Sequence, residues 1–297
     1  MLLALAACLL VPMPGGAAVV HEYTSPYHHI RVIDASGLRT LFFDDAQESI
    51  ISLADPLKGH FEYTEYFHMG WLWNTQMTSV LMIGLGGGSA QRSFEHYYPN
   101  IKVESVEIDP AVLQIARSFF FFKESERQKV HVADGRMYLR RSSARYDMII
   151  LDAYVQGRYG SSLPQHLATK EFFELASERM STNGVLAYNV IGTVSGMRAS
   201  LVGSLYRTLK SVFPQVYMFP AKSSLNVVMI ATKTGVPAQP TALRQRAAQL
   251  VQAGRAPLPG FMQRLEVLQT APPPNAYRST LLTDDYAPVE GLAAGWQ

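Results

Sequence analysis

A cluster of glycines follows an apolar run near the middle of the chain. The run "VLMI" enters "GLGGGS", which contains Gly84, Gly86, Gly87 and Gly88 and ends in Ser89. Glycines after a buried strand let the backbone turn sharply and approach a ligand, because no Cβ intervenes. The spacing does not complete a dinucleotide fingerprint, since a serine stands at the sixth position. Taken alone, the glycines indicate either a ligand-binding loop or a tight strand–helix turn.

Acidic residues follow the next three apolar runs. Glu107 ends "VESVE", Asp134 follows "VHVA", and Asp152 ends "MIILD". A carboxylate at the first position can accept from both ribose hydroxyls, and one at the second can accept from an exocyclic amine such as that of adenine. Asp152 could receive a proton from a nucleophile or hold a cation. Each acid alone could be a helix cap, but three at successive strand ends predict a nucleoside site.

These acids come together only if the strands before them are parallel neighbours. The predicted strands are Ser79–Ile83, Val103–Glu107, Val130–Val132, Met148–Leu151 and Val185–Asn189. The predicted helices are Phe61–Trp73, Ala90–Tyr98, Pro110–Phe119, Met137–Arg141, Thr169–Met180, Met197–Ser211 and Ala242–Ala253. Apolar strands that alternate with helices indicate a parallel sheet with right-handed crossovers.

The last two strands decide the fold subclass. The segment "QVYMFPAKSSLNVVMIATK" contains two β-branched runs with no room for a crossover helix, so it predicts a hairpin added to the sheet. Five parallel strands ending in an antiparallel hairpin are the Rossmann-like α/β fold of S-adenosylmethionine-dependent methyltransferases. An ordinary nicotinamide-binding fold would need another helix at this point.

The pattern divides the chain into four segments. Residues 1–20 are apolar and uncharged and are predicted to lie outside the fold, as an export signal, the end of a membrane segment or a mis-assigned start. Residues 21–74 predict a small antiparallel sheet of two or three strands, followed by a helix. Residues 75–234 form the Rossmann-like domain, and residues 235–297 form a helical tail rich in Pro, Ala and Gln.

Composition narrows the class of protein. A chain of 297 residues with 48% hydrophobic and 17% charged residues can bury a large core. The net charge of +2 gives no basic footprint for nucleic acid. The single cysteine, Cys8, excludes a disulfide framework and a cysteine-based zinc site, although "LAAC" around it resembles a lipoprotein processing box. The histidines lack metal-ligand spacing, so no metal site is predicted.

The motifs "GLGGGS", "VEIDP", "VADGRMYL" and "YDMIILDAY", taken in order, resemble the spermidine synthase (polyamine aminopropyltransferase) family over about residues 21 to 232. The resemblance implies transfer of an aminopropyl group from decarboxylated S-adenosylmethionine to a polyamine such as putrescine, with release of methylthioadenosine. It implies no permanently bound cofactor. The ending "LTDDYAPVE" resembles bacterial members in which this domain follows a membrane-embedded segment.

The resemblance also implies a set of site residues. Those expected to bind the donor are Gln47, Gly84, Gly86, Gly88, Ser89, Glu107, Asp134 and Gly135. Tyr63 is expected to orient the attacking amine, with Asp152 as its acidic neighbour, and these two are the expected catalytic residues. Family members commonly form dimers or tetramers through the N-terminal sheet, so a homodimer is expected.

The chain departs from the family pattern where anions should meet the polyamine. The aspartate that usually follows the glycines is replaced by Ser89, and the usual proton-accepting aspartate is replaced by Val155. An acidic pair before the tyrosine motif appears as Gly59 and His60. Losing two or more charge-assisted hydrogen bonds, each about 1.5–3 kcal/mol, would lower amine binding or turnover by roughly two to four decades.

Three acids could compensate for these losses, namely Glu62, Glu65 and Asp152. Two alternative functions stay open. The first is an S-adenosylmethionine-dependent methyltransferase, because a neutral Ser89 would tolerate the α-carboxylate that the decarboxylated donor lacks. The second is a non-catalytic nucleoside-binding domain that senses its ligand or serves a membrane partner. Because the sulfonium donor is made in the cytosol, a cytoplasmic or cytoplasm-facing, membrane-associated domain is expected, with an exported lipoprotein as the alternative.

Overall fold

The N-terminal part of the computed structural model is a four-stranded antiparallel sheet; the structure describes residues 16–157, 160–196 and 198–295. Its strands, in spatial order, are β1 (Ala18–Thr24), β2 (His29–Ala35), β3 (Leu38–Phe43) and β4 (Ala46–Ser52). The sequence predicts only two or three strands here. The difference lies at β1, whose first residues, "AVV", were assigned to the segment 1–20 expected outside the fold. The rest of that segment, residues 1–15, lies outside the described residues.

The later strands form a central sheet and a short separate ribbon. The central sheet begins with β5 (Ser79–Ile83), β6 (Lys102–Glu107), β7 (Gln128–Val132) and β8 (Tyr146–Leu151). The ribbon pairs β9 (Val155–Gly157) with β10 (Gly160–Ser162). These two strands are not among those predicted from the sequence. The central sheet continues with β11 (Met180–Ile191), β12 (Gln215–Pro220) and β13 (Asn226–Thr232).

The strand order of the central sheet is β12–β13–β11–β8–β5–β6–β7. Neighbouring strands from β11 to β7 are parallel, and β13 runs antiparallel to both β11 and β12. The prediction of five parallel strands followed by a hairpin is therefore confirmed. The carboxyl ends of β5, β6 and β8 lie side by side, as the prediction of a shared site for the acidic residues at these ends assumes.

The helices cover both faces of the central sheet. They are α1 (Tyr63–Tyr66), α2 (Ser89–Tyr97), α3 (Pro110–Phe119), α4 (Gly135–Arg141), α5 (Lys170–Glu178), α6 (Ala199–Val212), α7 (Pro240–Gln252) and α8 (Val289–Ala293). The single helix predicted for 61–73 is instead the short α1 followed by a 3₁₀ helix over Phe67–Leu72. Every residue of that 3₁₀ helix is buried, so tight packing on all sides replaces the one-sided apolar stripe of a surface helix.

Residues 63–72 belong to the core of the large domain. Tyr66 and Phe67 pack with Val80 and Met148 of the central sheet, in a cluster that also contains Leu243 of the tail. The N-terminal sheet packs separately against α3 and the segment after it. No helix in the described part of the chain is long and apolar enough to cross a membrane.

Close packing fixes the path of the backbone around the glycine loop. Gly84 has φ of +103°, and a Cβ there would overlap the carbonyl oxygen of Asp152 on the neighbouring strand. Phe122 packs on the other side of the loop, 2.6 Å from where a Cβ of Gly88 would lie. The first and last glycines are therefore required for packing and conformation, whatever the loop binds.

Replacing Gly84 with Ala should destabilise the protein by about 2–5 kcal/mol, because left-handed strain adds to a steric overlap with main-chain atoms. Gly37→Ala is the matched control, since Gly37 also has positive φ but open space around its Cβ position. The control should lose only about 1–2 kcal/mol, the cost of the strain alone. Urea unfolding of both variants measures the difference, and equal losses would contradict the packing argument.

Candidate active site

A cavity opens at the carboxyl ends of β5, β6 and β8, between the central sheet and the N-terminal sheet. Together with the open space at its mouth it spans about 1120 Å³. Predicted site residues that line it are Tyr63, Gly84, Gly86, Ser89, Glu107, Asp134, Gly135 and Asp152. The structure thus brings eight of the ten predicted residues to one cavity.

The other two predicted residues lie elsewhere. Gln47 is exposed and lies outside the cavity lining, so the structure does not bring it together with the other predicted residues. Gly88 also lies outside the lining and instead begins helix α2, with φ of +71° against the ring of Phe122. The role of Gly88 is conformational, because its left-handed backbone turns the loop into the helix.

Glu48, the neighbour of Gln47, lines the cavity instead. Pairing between β3 and β4 runs from Leu41 opposite Ser49 to Phe42 opposite Gln47, which leaves Glu48 as the extra residue of a β-bulge. A bulge turns side chains that would otherwise alternate, so both Glu48 and Ser49 reach the cavity. Glu48 is not among the predicted site residues. A β-bulge is defined by the pairing of two strands, so the alternation of polar and apolar residues along one strand does not reveal it.

Glu107 connects the loops that follow β5 and β6. Its carboxylate accepts the backbone N–H of Leu85 at 3.0 Å on one oxygen and that of Asp109 at 3.0 Å on the other. Burial raises the pKa of Glu107 to about 7, although the two backbone donors oppose the rise. Each oxygen keeps a further lone pair, so the carboxylate can also accept from ribose hydroxyls.

The glycine loop is held on both sides by side chains. The N–H of Gly87 donates to Ser49 Oγ at 2.9 Å, and the amide of Gln91 donates to the carbonyl of Gly84 at 3.0 Å. The guanidinium of Arg92 donates to the carbonyl of Gly87 at 2.6 Å and to Ser89 Oγ at 3.2 Å. Burial lowers the pKa of Arg92 to about 10, and its described acceptors are all neutral oxygens. A buried cation therefore stands directly behind the serine.

Asp134 and Gly135 form the wall at the start of α4. Asp134 accepts the N–H of Met137 at 2.8 Å as the helix cap, and its other oxygen lies 2.8 Å from His166 Nε2. Both interpretations of this acid, helix cap and ligand contact, are thus compatible with its position. Arg136 of the same helix forms a bidentate ion pair with Asp284, in which Nη1 and Nη2 donate to the two carboxylate oxygens at 2.7 and 2.6 Å.

Asp152 lies at the end of β8 and has a partner on each oxygen. Tyr63 Oη donates to one oxygen at 3.2 Å, and Asn189 Nδ2 donates to the other at 2.9 Å. Burial raises the pKa of Asp152 to about 6. Burial and the nearby Asp152 carboxylate raise the pKa of Tyr63 far above its ordinary value, so the phenol remains a donor.

The lining of the cavity is acidic. Four carboxyl groups line the cavity, those of Glu48, Glu107, Asp134 and Asp152. Three histidines, His28, His60 and His166, also belong to the lining. No lysine or arginine is among its described lining residues. Such a cavity favours cationic ligands over anionic ones. In the described ranges, no group of three or more His, Cys, Asp or Glu residues is arranged to hold a metal ion.

Two of the acids expected to compensate are engaged elsewhere. Glu62 accepts from Tyr66 Oη at 2.6 Å and from Arg264 at 3.0 Å, and Glu65 accepts from Arg264 at 2.6 Å. Neither of these glutamates lines the cavity. Both are structural partners of the tail, so of the three proposed acids only Asp152 lines the cavity.

The departures from the family pattern do lie at the cavity. Ser89, Val155, Gly59 and His60 all belong to its lining. At these four positions the cavity lining therefore lacks the carboxylates that the family pattern would supply. Glu48 enters the same region from the N-terminal sheet.

Comparison with known proteins identifies the family. Residues 60–234, more than half of the chain, match the family model "Spermine/spermidine synthase domain". The chain belongs to this family. It is 33% identical to a polyamine aminopropyltransferase from Vibrio vulnificus (strain CMCP6), over 98% of this chain and 97% of that protein.

Further relatives show how widely the fold is shared. A probable spermidine synthase from Corynebacterium glutamicum ATCC 13032 superposes with a TM-score of 0.63 at 22% identity, over 77% of this chain and 87% of that chain. An eEF1A lysine and N-terminal methyltransferase from Xenopus laevis is 34% identical over 51% of this chain but only 22% of its own length. Similarity to this chain thus extends both to a probable spermidine synthase and to a methyltransferase.

Removing the charge of Glu48 should change how stability depends on pH. Burial and the neighbouring Asp152 raise the pKa of Glu48 to about 7, so wild-type stability is lost as pH rises from about 4.5 through 7. Glu48→Gln should therefore gain on the order of 2 kcal/mol relative to wild type between pH 5 and pH 8. Chemical unfolding at the two pH values measures this, and Gln47→Glu, an exposed neighbour, should show no such gain. A parallel pH dependence of wild type and Glu48→Gln would contradict the shift.

Proposed function

We propose that this protein transfers an aminopropyl group from decarboxylated S-adenosylmethionine to a polyamine such as putrescine, releasing methylthioadenosine. The observation that carries the proposal is the joining of a nucleoside wall and an acidic end in one cavity. Glu107, the glycine loop and Asp134 form the wall, and Asp152 with Tyr63 forms the acidic end. The full-length similarity to a polyamine aminopropyltransferase supports the same activity.

The reaction requires alignment and removal of a proton. A neutral amine nitrogen forms a bond to the carbon next to the sulfonium, and the carbon–sulfur bond breaks with its electrons going to sulfur. The attacking nitrogen then carries an extra proton that must leave to a base or to water. The sulfonium supplies a good leaving group, so placement of nucleophile and carbon at the correct distance supplies much of the rate.

Each side chain of the acidic end has a defined part in this scheme. The protonated Tyr63 phenol keeps its hydrogen bond to Asp152, which leaves the phenol oxygen as an acceptor for an amine N–H. Asp152 provides negative charge for the cationic substrates, fixed in orientation by Asn189. Tyr154 closes the same region and is itself anchored by donating to the carbonyl of Asn189 at 2.9 Å.

Asp152→Asn should lower kcat with putrescine by about 10²–10⁴-fold, because the substitution removes the fixed charge beside the amine. Binding of methylthioadenosine should change little, since the nucleoside wall is untouched. Chromatographic detection of spermidine and calorimetry of nucleoside binding provide the two measurements. If wild type forms no aminopropylated product with decarboxylated donor and a panel of amines, the proposed reaction is wrong.

A methyltransferase activity is a second, less supported candidate. The observation in its favour is Ser89, which is neutral and backed by the buried Arg92 guanidinium at 3.2 Å. An α-carboxylate placed beside Ser89 would be attracted by that cation, whereas the ammonium of the decarboxylated donor would gain nothing from it.

Donor preference separates the two candidates. On the aminopropyl-transfer proposal, decarboxylated S-adenosylmethionine should bind at least about tenfold more tightly than S-adenosylmethionine, since the lining carries carboxylates and no described cation. Calorimetric titration with both donors and with S-adenosylhomocysteine measures this. Tighter binding of the carboxylated donor, together with methylated products, would favour the second candidate. Ser89→Asp should increase the preference for the decarboxylated donor and serves as the matched variant.

Assembly and location remain predictions. We propose a homodimer formed through the N-terminal sheet, which exposes the outer edge of β1, and a cytoplasmic or cytoplasm-facing location where the donor is made. Membrane association through the N-terminus concerns residues 1–15, which lie outside the described residues.

A further inference from the structure

Glu48 makes fewer hydrogen bonds than Asp152 and Glu107, the other two buried acids of the cavity, so more of its acceptor capacity is unused. Its one hydrogen bond to a described residue comes from Ser161 Oγ, at a long 3.4 Å. Asp152 in contrast has both oxygens engaged by neutral donors, Tyr63 and Asn189. Glu107 is likewise held on both oxygens by backbone N–H groups. Of these three carboxylates, Glu48 therefore has the most acceptor capacity left for a proton or an ammonium.

The position of Glu48 is built into the fold. The bulge between β3 and β4 directs it into the cavity. Ser161, in strand β10 of the short ribbon, donates a hydrogen bond to it. Its charge interacts with Asp152, Tyr63 and Tyr154, which together surround the acidic end. Glu48 therefore lies at the reacting end of the cavity as well as beside the nucleoside wall.

We propose that the Glu48 carboxylate accepts the proton of the attacking amine. This rests on the proposed aminopropyl transfer. As the new nitrogen–carbon bond forms and the carbon–sulfur bond breaks, one N–H proton passes to a Glu48 oxygen and later to solvent, while sulfur leaves as the neutral thioether. Asp152 then acts as a fixed charge that orients Tyr63 and the amine. Glu48 supplies the carboxylate that is absent at the Val155 position.

The surroundings of Glu48 suit this role. Burial, with Asp152 and Glu107 nearby, raises its pKa to about 7, which is where a general base works best at neutral pH. The groups whose titration could be confused with it are Asp152, Glu107, Tyr63 and Tyr154 and, on the N-terminal side, His28 and His60. A variant at Glu48 itself is therefore needed to assign the pH dependence.

The test compares wild type, Glu48→Gln, Asp152→Asn and the exposed control Gln47→Glu. Two readouts are measured from pH 5.5 to 9, namely kcat/KM for putrescine and calorimetric binding of putrescine to the protein–methylthioadenosine complex. Glu48→Gln should lower kcat/KM by about 10²–10⁴-fold and remove the rise of activity through about pH 7. Asp152→Asn should lower activity but keep that rise, and Gln47→Glu should match wild type. Methylthioadenosine affinity should stay within about threefold in Glu48→Gln, assuming only a proton-transfer role.

Each outcome decides something different. Turnover in wild type with unchanged kcat/KM and pH profile in Glu48→Gln would overturn the role of Glu48 and leave the proposed reaction standing. No turnover in wild type, with putrescine binding that Glu48→Gln abolishes, would overturn the reaction but keep Glu48 as the amine-binding carboxylate. Loss of methylthioadenosine affinity in Glu48→Gln in proportion to activity would make it a ribose ligand instead. Absence of both turnover and amine binding in wild type would overturn both.

Discussion

The carboxylate of Glu107 joins the two loops on which the cavity depends. It bonds the backbone of the glycine loop through Leu85 and the start of the next loop through Asp109, so neither loop can move without losing a buried hydrogen bond. Burying this acid is tolerated because both oxygens are satisfied. Since the same carboxylate lines the cavity, the side chain that fixes the loop geometry is also the one proposed to bind the ribose.

The burial of three acids shapes the rest of the site. Glu48, Glu107 and Asp152 have pKa values raised to about 7, 7 and 6, because burial opposes their ionisation. At neutral pH the empty cavity therefore retains part of its protons. A cationic ligand favours full ionisation, so its binding is coupled to proton release.

The sequence predicts the central sheet well, because strands buried on two faces and a hairpin without a crossover leave clear patterns. Glu107, Asp134 and Asp152 could be placed together for the same reason, since parallel strands end at one edge. Strand β1 was not predicted because its first residues, Ala18 to Val20, continue the apolar sequence that precedes them. Gln47 was expected at the site from the family resemblance, whereas the bulge between β3 and β4, which depends on the partner strand, brings Glu48 into the cavity lining. The pairing of Glu62 and Glu65 with Arg264 joins residues far apart in sequence, which no local pattern indicates.

Through the ion pair between Arg136 and Asp284, the C-terminal segment supports helix α4, which begins next to Asp134 in the proposed nucleoside wall. Asp284 also accepts from Thr169 at 2.7 Å, so it connects the beginnings of α4 and α5 from outside the sheet. During synthesis the Rossmann-like strands emerge from the ribosome long before this aspartate does. A nascent chain can thus assemble its sheet early, but the support behind Asp134 is completed only when the tail folds back over it.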